Sequence, residues 1–293
     1  MKKIKKIAVS FGALLLLLLS FLTFSTLIIV AGRPDFRYRL SEKLRKPETN
    51  ILKKEASFDP SRLSFCAVSE LLEEYGTQSG MLINRDHPIS DSFSAELAEY
   101  RSSGVMMNRS ATEAFGNLSD AVLKDCGQKL YISSSYRTAE EQAAILQKEG
   151  DTAAQVGASE HQTGLALDVY VRGFAGRAFL KSEAGTYVSQ NAWKYGFIIR
   201  YPEGKSSLTG IPYEPWHIRY VGQPHAEIMH RSKLTLEEYT DLFSDGGFYS
   251  FGSYLLVTCP EQTEIILLPT KDYKMVSISQ NNTGHYLLTL IKK

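Results

Sequence analysis

The chain has 293 residues, enough for one domain of ordinary size with appendages. Its 33 basic and 32 acidic residues leave a formal net charge of +1, which gives no electrostatic case for a nucleic-acid partner. The three cysteines, Cys66, Cys126 and Cys259, include no Cys-x-x-Cys pair; a cysteine metal site is not expected, and an odd set allows at most one internal disulfide plus a free thiol.

Lys2, Lys3, Lys5 and Lys6 precede an uncharged, leucine-rich run over residues 7–31. As a helix it would reach about 37 Å, more than a hydrocarbon core of about 30 Å, and it exceeds the apolar region of about 7–15 residues usual in signal peptides. Residues 1–31 are therefore expected to be an uncleaved signal anchor and transmembrane helix, the alternative being a cleaved signal ending near Ala31. Arg33, Arg37, Arg39, Lys43, Arg45 and Lys46 follow the run, so the positive-inside count does not favour a cytoplasmic N-terminus. Residues 32–79 read as a charged stalk with some helix, including residues 68–75.

Residues 80–240 read as the main domain. Ser110-x-x-Glu113 predicts a capped helix through about Cys126, with Gly127 as its stop. Residues 130–135 read as a strand, and Thr138-x-x-Glu141 is a capping box that starts a helix through about Lys148, so Arg137 falls at a strand-to-helix junction. Residues 165–171 read as a buried strand with Asp168 in its middle, residues 185–195 as a helix, and residues 216–221 as a strand. Helices and antiparallel strands interleave without βαβ repeats, which predicts an α+β domain: a small, mainly antiparallel sheet with flanking helices. Four β-like runs follow, at 248–258, 264–268, 275–279 and 285–291, and predict a small β appendage over 241–293, expected to pack on the domain before it, the alternative being to bind another envelope component.

Two segments carry the chemistry: Ser159-Glu160-His161-Gln162-Thr163-Gly164-Leu165-Ala166-Leu167-Asp168 and Glu214-Pro215-Trp216-His217-Ile218-Arg219-Tyr220. Catalytic zinc takes three protein ligands and keeps a fourth position for water, so His161, Asp168 and His217 would complete a set and leave Glu214 free as a base. An aspartate in a buried strand needs a partner, which could be a cation, an arginine or backbone amides. A lone histidine in a strand is more often a satisfied core residue than a ligand. Pro215 prevents Glu214 and His217 from sharing a helix face. Co-occurrence of all four at glycine-marked or proline-marked strand ends favours a site. His87, His225, His230 and His285 read as structural or surface residues, and Arg137 alone would pass for a solvated helix-start residue. No lysine has a serine three residues before it, which excludes a Ser-x-x-Lys nucleophile.

Ser134-Ser135-Tyr136-Arg137, Ser159-x-His161-x-x-Gly164-x-Ala166-x-Asp168 and Glu214-x-Trp216-His217-x-Arg219-Tyr220, in this order, resemble the three signature blocks of the VanY-type zinc D-alanyl-D-alanine carboxypeptidases. Leu82-Ile83-Asn84-Arg85-Asp86-His87-Pro88, the stretch 193–210 and Thr235-Leu236-Glu237-Glu238-Tyr239 are similar to further family segments, so the resemblance covers about residues 80–240. It implies a fold of VanY and hedgehog type with a zinc site at strand ends: one zinc per chain on His161, Asp168 and His217, Glu214 as catalytic base, and Arg137 contacting substrate and stabilising the oxyanion. Ser159 and Gln142 match the region near the substrate.

The activity the resemblance implies is removal of the terminal D-residue from peptidoglycan stem peptides by metal-activated water. The alternatives are an L,D-carboxypeptidase or a peptidoglycan endopeptidase with the same zinc site, and a non-catalytic zinc-binding envelope module. A wall substrate implies an extracytoplasmic catalytic domain on the bacterial cell membrane, held by a single span over residues 7–31, or a secreted enzyme if the signal is cleaved. No oligomeric state is implied.

Overall fold

The computed structural model describes residues 32–55, 57–150 and 153–293, so the expected signal anchor over 1–31 lies outside the described residues. Among the described residues no helix is long and apolar enough to cross a membrane. In chain order the elements are α1 (Pro34–Leu44), β1 (Lys53–Glu55), β2 (Ser64–Ala67), α2 (Val68–Tyr75), β3 (Gly76–Thr77), β4 (Leu97–Glu99), β5 (Met106–Asn108), α3 (Arg109–Cys126), β6 (Tyr131–Ser134) and α4 (Ala139–Glu149). They continue with β7 (Ala166–Tyr170), α5 (Glu183–Asn191), β8 (Phe197–Ile199), α6 (Ser206–Thr209), β9 (His217–Tyr220), α7 (His225–Ser232) and α8 (Leu236–Asp241). The chain closes with β10 (Gly247–Phe251), β11 (Tyr254–Pro260), β12 (Ile265–Leu268), β13 (Tyr273–Gln280) and β14 (His285–Lys292).

The architecture is α+β with antiparallel sheets. A four-stranded sheet in the order β6-β7-β9-β8 is antiparallel throughout. Side chains alternate across it: Leu167, Val169 and Ile218 enter a core built with Phe115, Leu118 and Val122 of α3, and Asp168 and His217 emerge together on the other face. The local signals act as read at α4, where Thr138 and Glu141 form a complete capping box, and at the end of α3, where Gly127 takes the left-handed conformation. The start of α3 differs. Its cap is Asn108, whose side chain accepts from the Ser110 amide, so Ser110 lies inside the first turn.

Within the expected stalk, three short strands and a helix are built against the C-terminal strands. β1 pairs with β10 and β3 with β13 at the two edges of the six-stranded order β1-β10-β11-β14-β13-β3, and β2 forms a ribbon with β12. The cause is that both faces of β11 and β14 are apolar. Leu256 and Leu287 pack with Ile228, Leu236 and Tyr239 of α7 and α8, whereas Leu255, Val257, Leu288 and Leu290 need the cover that Val68, Leu71 and Leu72 of α2 supply. The C-terminal sheet therefore packs on α7 and α8 and includes the N-terminal strands β1 and β3. The cysteines are all free thiols.

His225 sits at this junction, buried, its Nδ1 2.7 Å from Tyr239 Oη and its Nε2 2.9 Å from Thr289 Oγ1. Burial pushes its pKa down to about 4. The unfolded chain then binds the proton more readily, so His225 contributes stability that is present above about pH 6.5 and is lost as pH falls toward 4, by up to about 1.4 kcal/mol per pH unit. Denaturant unfolding at neutral and mildly acidic pH is expected to give a smaller acid loss in His225→Gln than in the parent; equal losses would refute the assignment.

Candidate active site

His161 stands on a short 3-10 turn, Glu160–Thr163, that ends in the left-handed Gly164. A Cβ at position 164 would come within 2.7 Å of the Asn108 amide nitrogen, so only glycine lets this turn pass so close to β5. Asp168 lies on β7 directly opposite His217 on β9, because the register pairs their Cα atoms. His161 Nε2 is 3.3 Å from Asp168 Oδ2, and His217 Nδ1 is 3.0 Å from Asp168 Oδ1. The three residues offer one ligand atom each within 4.8 Å of one another.

The outward ring nitrogens face acceptors. His161 Nδ1 is 2.8 Å from the Ser135 carbonyl oxygen, and His217 Nε2 lies 3.5 Å from Glu160 Oε2. That gap is long for a hydrogen bond, and both atoms are buried without another partner. Metal-binding histidines commonly have such a carbonyl or carboxylate behind them. Burial lowers the pKa of His161, which favours the neutral ring a metal needs. Burial opposes charge on Asp168 too, but contacts from His161 and His217 hold its carboxyl well below the ordinary range. The donor set fits a divalent cation.

Arg137 and Glu214 flank the cluster. The Arg137 guanidinium donates from Nε to Ser134 Oγ at 3.0 Å and from Nη1 to Gln142 Oε1 at 3.2 Å, which leaves Nη2 3.6 Å from Asp168 Oδ2. Gln142 is buried and also donates to the Ala154 carbonyl at 2.8 Å, so it braces Arg137 from behind. Ser159 is buried beside the 3-10 turn. Glu214 Oε2 lies 3.8 Å from His217 Nδ1. Burial raises the Glu214 pKa, with His217 opposing and the charge of Asp168 adding to the rise.

Glu160, Arg200 and Arg219 form a buried network that the sequence reading gave no role. Glu160 Oε1 accepts from Arg200 Nε and Arg219 Nη1, both at 2.7 Å. All three side chains are 0% exposed. Burial alone would raise the Glu160 pKa; the two guanidinium charges hold it far below the ordinary range. The available signal was the placement of an arginine after Ile198-Ile199 and another after Ile218, since a charge inside an apolar strand needs a partner.

Residues 104–223 match the family VanY, D-alanyl-D-alanine carboxypeptidase. The bifunctional D-Ala-D-Ala dipeptidase and D-Ala-D-Ala carboxypeptidase VanXYC of Enterococcus gallinarum is 36% identical over 177 residues, covering 55% of this chain and 92% of that protein. The chain belongs to the VanY family. A D-alanyl-D-alanine carboxypeptidase of Enterococcus faecium is 42% identical over 147 residues, 49% of this chain, but the match spans only about half of that relative, 46% of its length. Among solved structures, the vancomycin resistance D,D-dipeptidase VanXYg in complex with a D-Ala-D-Ala phosphinate analogue aligns with a TM-score of 0.62 at 25% identity, over 78% of this chain and 98% of that one. The VanY match takes in Arg137, His161, Asp168, Glu214 and His217 and leaves out β10–β14.

Removing the Glu160 carboxylate would leave the buried Arg219 guanidinium without a carboxylate partner and Arg200 with Glu237 alone. Glu160→Ala is expected to cost about 3–5 kcal/mol of folding stability. Urea unfolding measures this, and a loss within the range of ordinary surface substitutions would contradict the network's role.

Proposed function

We propose that this chain is a zinc-dependent D-alanyl-D-alanine carboxypeptidase that removes the terminal D-residue from peptidoglycan stem peptides. The observation that carries this reading is the convergence of His161 Nε2, the Asp168 carboxylate and His217 Nδ1, with a base and a fixed guanidinium on either side. His161, Asp168 and His217 would hold one zinc ion per chain. When bound, zinc lowers the pKa of water to about 7 and polarises a carbonyl oxygen.

Glu214 takes the proton of the attacking water as the new C–O bond forms and delivers it to the amine nitrogen as the C–N bond breaks. A carboxyl whose pKa is raised by burial is better matched to that exchange near neutral pH than an exposed one. Arg137, always charged and clamped by Ser134 and Gln142, offers its free Nη2 edge to the substrate's carboxylate or to the oxyanion that develops on the scissile carbonyl. Gln142 acts through Arg137, and Ser159 shapes the adjacent wall. A single-pass anchor over residues 7–31 would hold the domain outside the cytoplasm, next to its wall substrate.

Glu214→Ala is expected to retain zinc and lose at least about a hundredfold in turnover, whereas His217→Ala loses metal and activity together. Mass analysis of defined penta- and tetrapeptides after incubation reads both the rate and the choice between D,D and L,D cleavage. Loss of zinc in Glu214→Ala would make that residue a ligand and move the base elsewhere. For the topology, protease added to wall-stripped cells is expected to remove the domain and spare a membrane stub; protection of the whole chain would reverse the orientation.

A further inference from the structure

A cavity of about 460 Å³ opens between α1 and the domain surface, a volume in the range of about 300–1,000 Å³ usual for small-molecule sites. His161, Asp168, His217, Glu214 and Arg137 do not line it. Its floor is apolar, with Trp193, Phe197, Ile198, Met229 and Leu234. Its rim is cationic: Arg39, Lys43, Arg45, Lys205 and Lys233 stand against two carboxylates, Glu42 and Glu203, which leaves +3 on one cavity in a chain whose whole net charge is +1.

The ion pairs locate that surplus. Arg39 is paired with Glu203, Arg45 with Glu42 at 2.9 Å, and Lys205 with Glu238 at 2.7 Å. Lys43 has no ion-pair partner among the described residues, and Lys233 donates to the Glu42 carbonyl oxygen at 2.6 Å but reaches the Glu42 carboxylate, already paired with Arg45, only at 3.7 Å. His230 adds no charge, since burial and the charge of Arg45 push its pKa down to about 4, and it stacks on Trp193 with ring centroids 5.1 Å apart. With Lys205 paired to Glu238 outside the lining, the remaining excess of +2 sits on Lys43 and Lys233.

The wall over the floor is itself unusual. α1 buries none of its residues, yet Arg37 pairs with Glu183 at 2.8 Å and Arg45 donates to the His230 carbonyl at 2.7 Å, so polar contacts at both ends hold it across an apolar gap it does not fill. It begins at Pro34, three positions beyond the uncharged run ending at residue 31, which sets the gap beside the bilayer if the proposed anchor is correct. We propose that this cavity binds an anionic phospholipid, with an acyl chain on the Trp193 floor and the phosphate between Lys43 and Lys233. An apolar floor with an unmatched cationic rim is complementary to that amphiphile and to neither of its halves alone.

Tryptophan emission reads the site directly, because the chain has two tryptophans and only Trp193 lines the cavity. The full chain, held in a neutral maltoside detergent, would be titrated with dioctanoyl phosphatidylglycerol, dioctanoyl phosphatidylcholine and inorganic phosphate. The expected result is a saturable change with phosphatidylglycerol alone, abolished in Trp193→Phe and weakened at least about tenfold in the double variant Lys43→Glu, Lys233→Glu. The thermal midpoint checks that this variant folds; if it falls, the exposed Lys43→Glu decides alone, with binding weakened in the same direction. Equal response to phosphatidylcholine or to phosphate, no saturable response, or unchanged affinity in the charge variants would each overturn the proposal. Zinc content and peptide turnover are read in parallel, so failure here leaves the catalytic reading separately testable.

Discussion

A single carboxylate, Glu160, organises the domain. It is buried without access to water and pairs with two guanidinium groups that are equally buried, Glu237 supplying the second negative charge. Isolated in that interior, any of the three charges would be prohibitively costly, so the elements that carry them must come together or remain unfolded. Arg200 extends the link to Glu237 of α8, at 2.6 and 2.9 Å, and Arg219 extends it to the carbonyls of Ser79 and Met81, at 3.3 and 2.7 Å. One ionic node thus ties the 3-10 turn, the end of β8, strand β9, the entry of the chain into the domain and a helix that supports the C-terminal sheet.

That node lies directly behind the proposed ligands. Glu160 precedes His161 in the chain and faces the far nitrogen of His217 in space, so the geometry of both imidazoles depends on it. Asp168 is understood from its own neighbours. An aspartate in a strand could be satisfied by an arginine, yet Arg137 stays 3.6 Å away and spends its closer hydrogen bonds on Ser134 and Gln142. What surrounds the Asp168 carboxylate at closer range is imidazole on two sides. Two imidazoles and a carboxylate whose ligand atoms converge this tightly form a donor set for a shared cation.

Signals that act within a few residues were legible in the sequence. The capping box at Thr138, the glycine stop at Gly127 and helix α2 were read from neighbouring side chains, and the alternation that sends Asp168 to one face and Leu167 to the other is local too. Signals that act at a distance were not. Strand β8 is three apolar residues with no alternation to mark it, and its identity comes from pairing with β9. Lys53–Glu55 is charged and short; it became a strand because its partner, 197 residues away, presents an open edge. The arginines joined to Glu160 lie 40 and 59 residues from it, so each could be seen as out of place without its partner being known.

The strand order of the C-terminal sheet carries a temporal constraint. β14, the last strand of the chain, lies at the centre, between β11 and β13, while β1 and β3 from the N-terminal side form the rims. The sheet cannot assemble outward from its first-made pieces; its middle arrives last. Until it does, the apolar faces of β11 and β13 lack their shared neighbour, and the cover offered by α2 has little to close over. Completion of this sheet thus waits on β14, and its long-range pairings are of the kind that close slowly. During synthesis, the four-stranded sheet β6-β7-β9-β8 is made well before the strand that closes the layer bracing it.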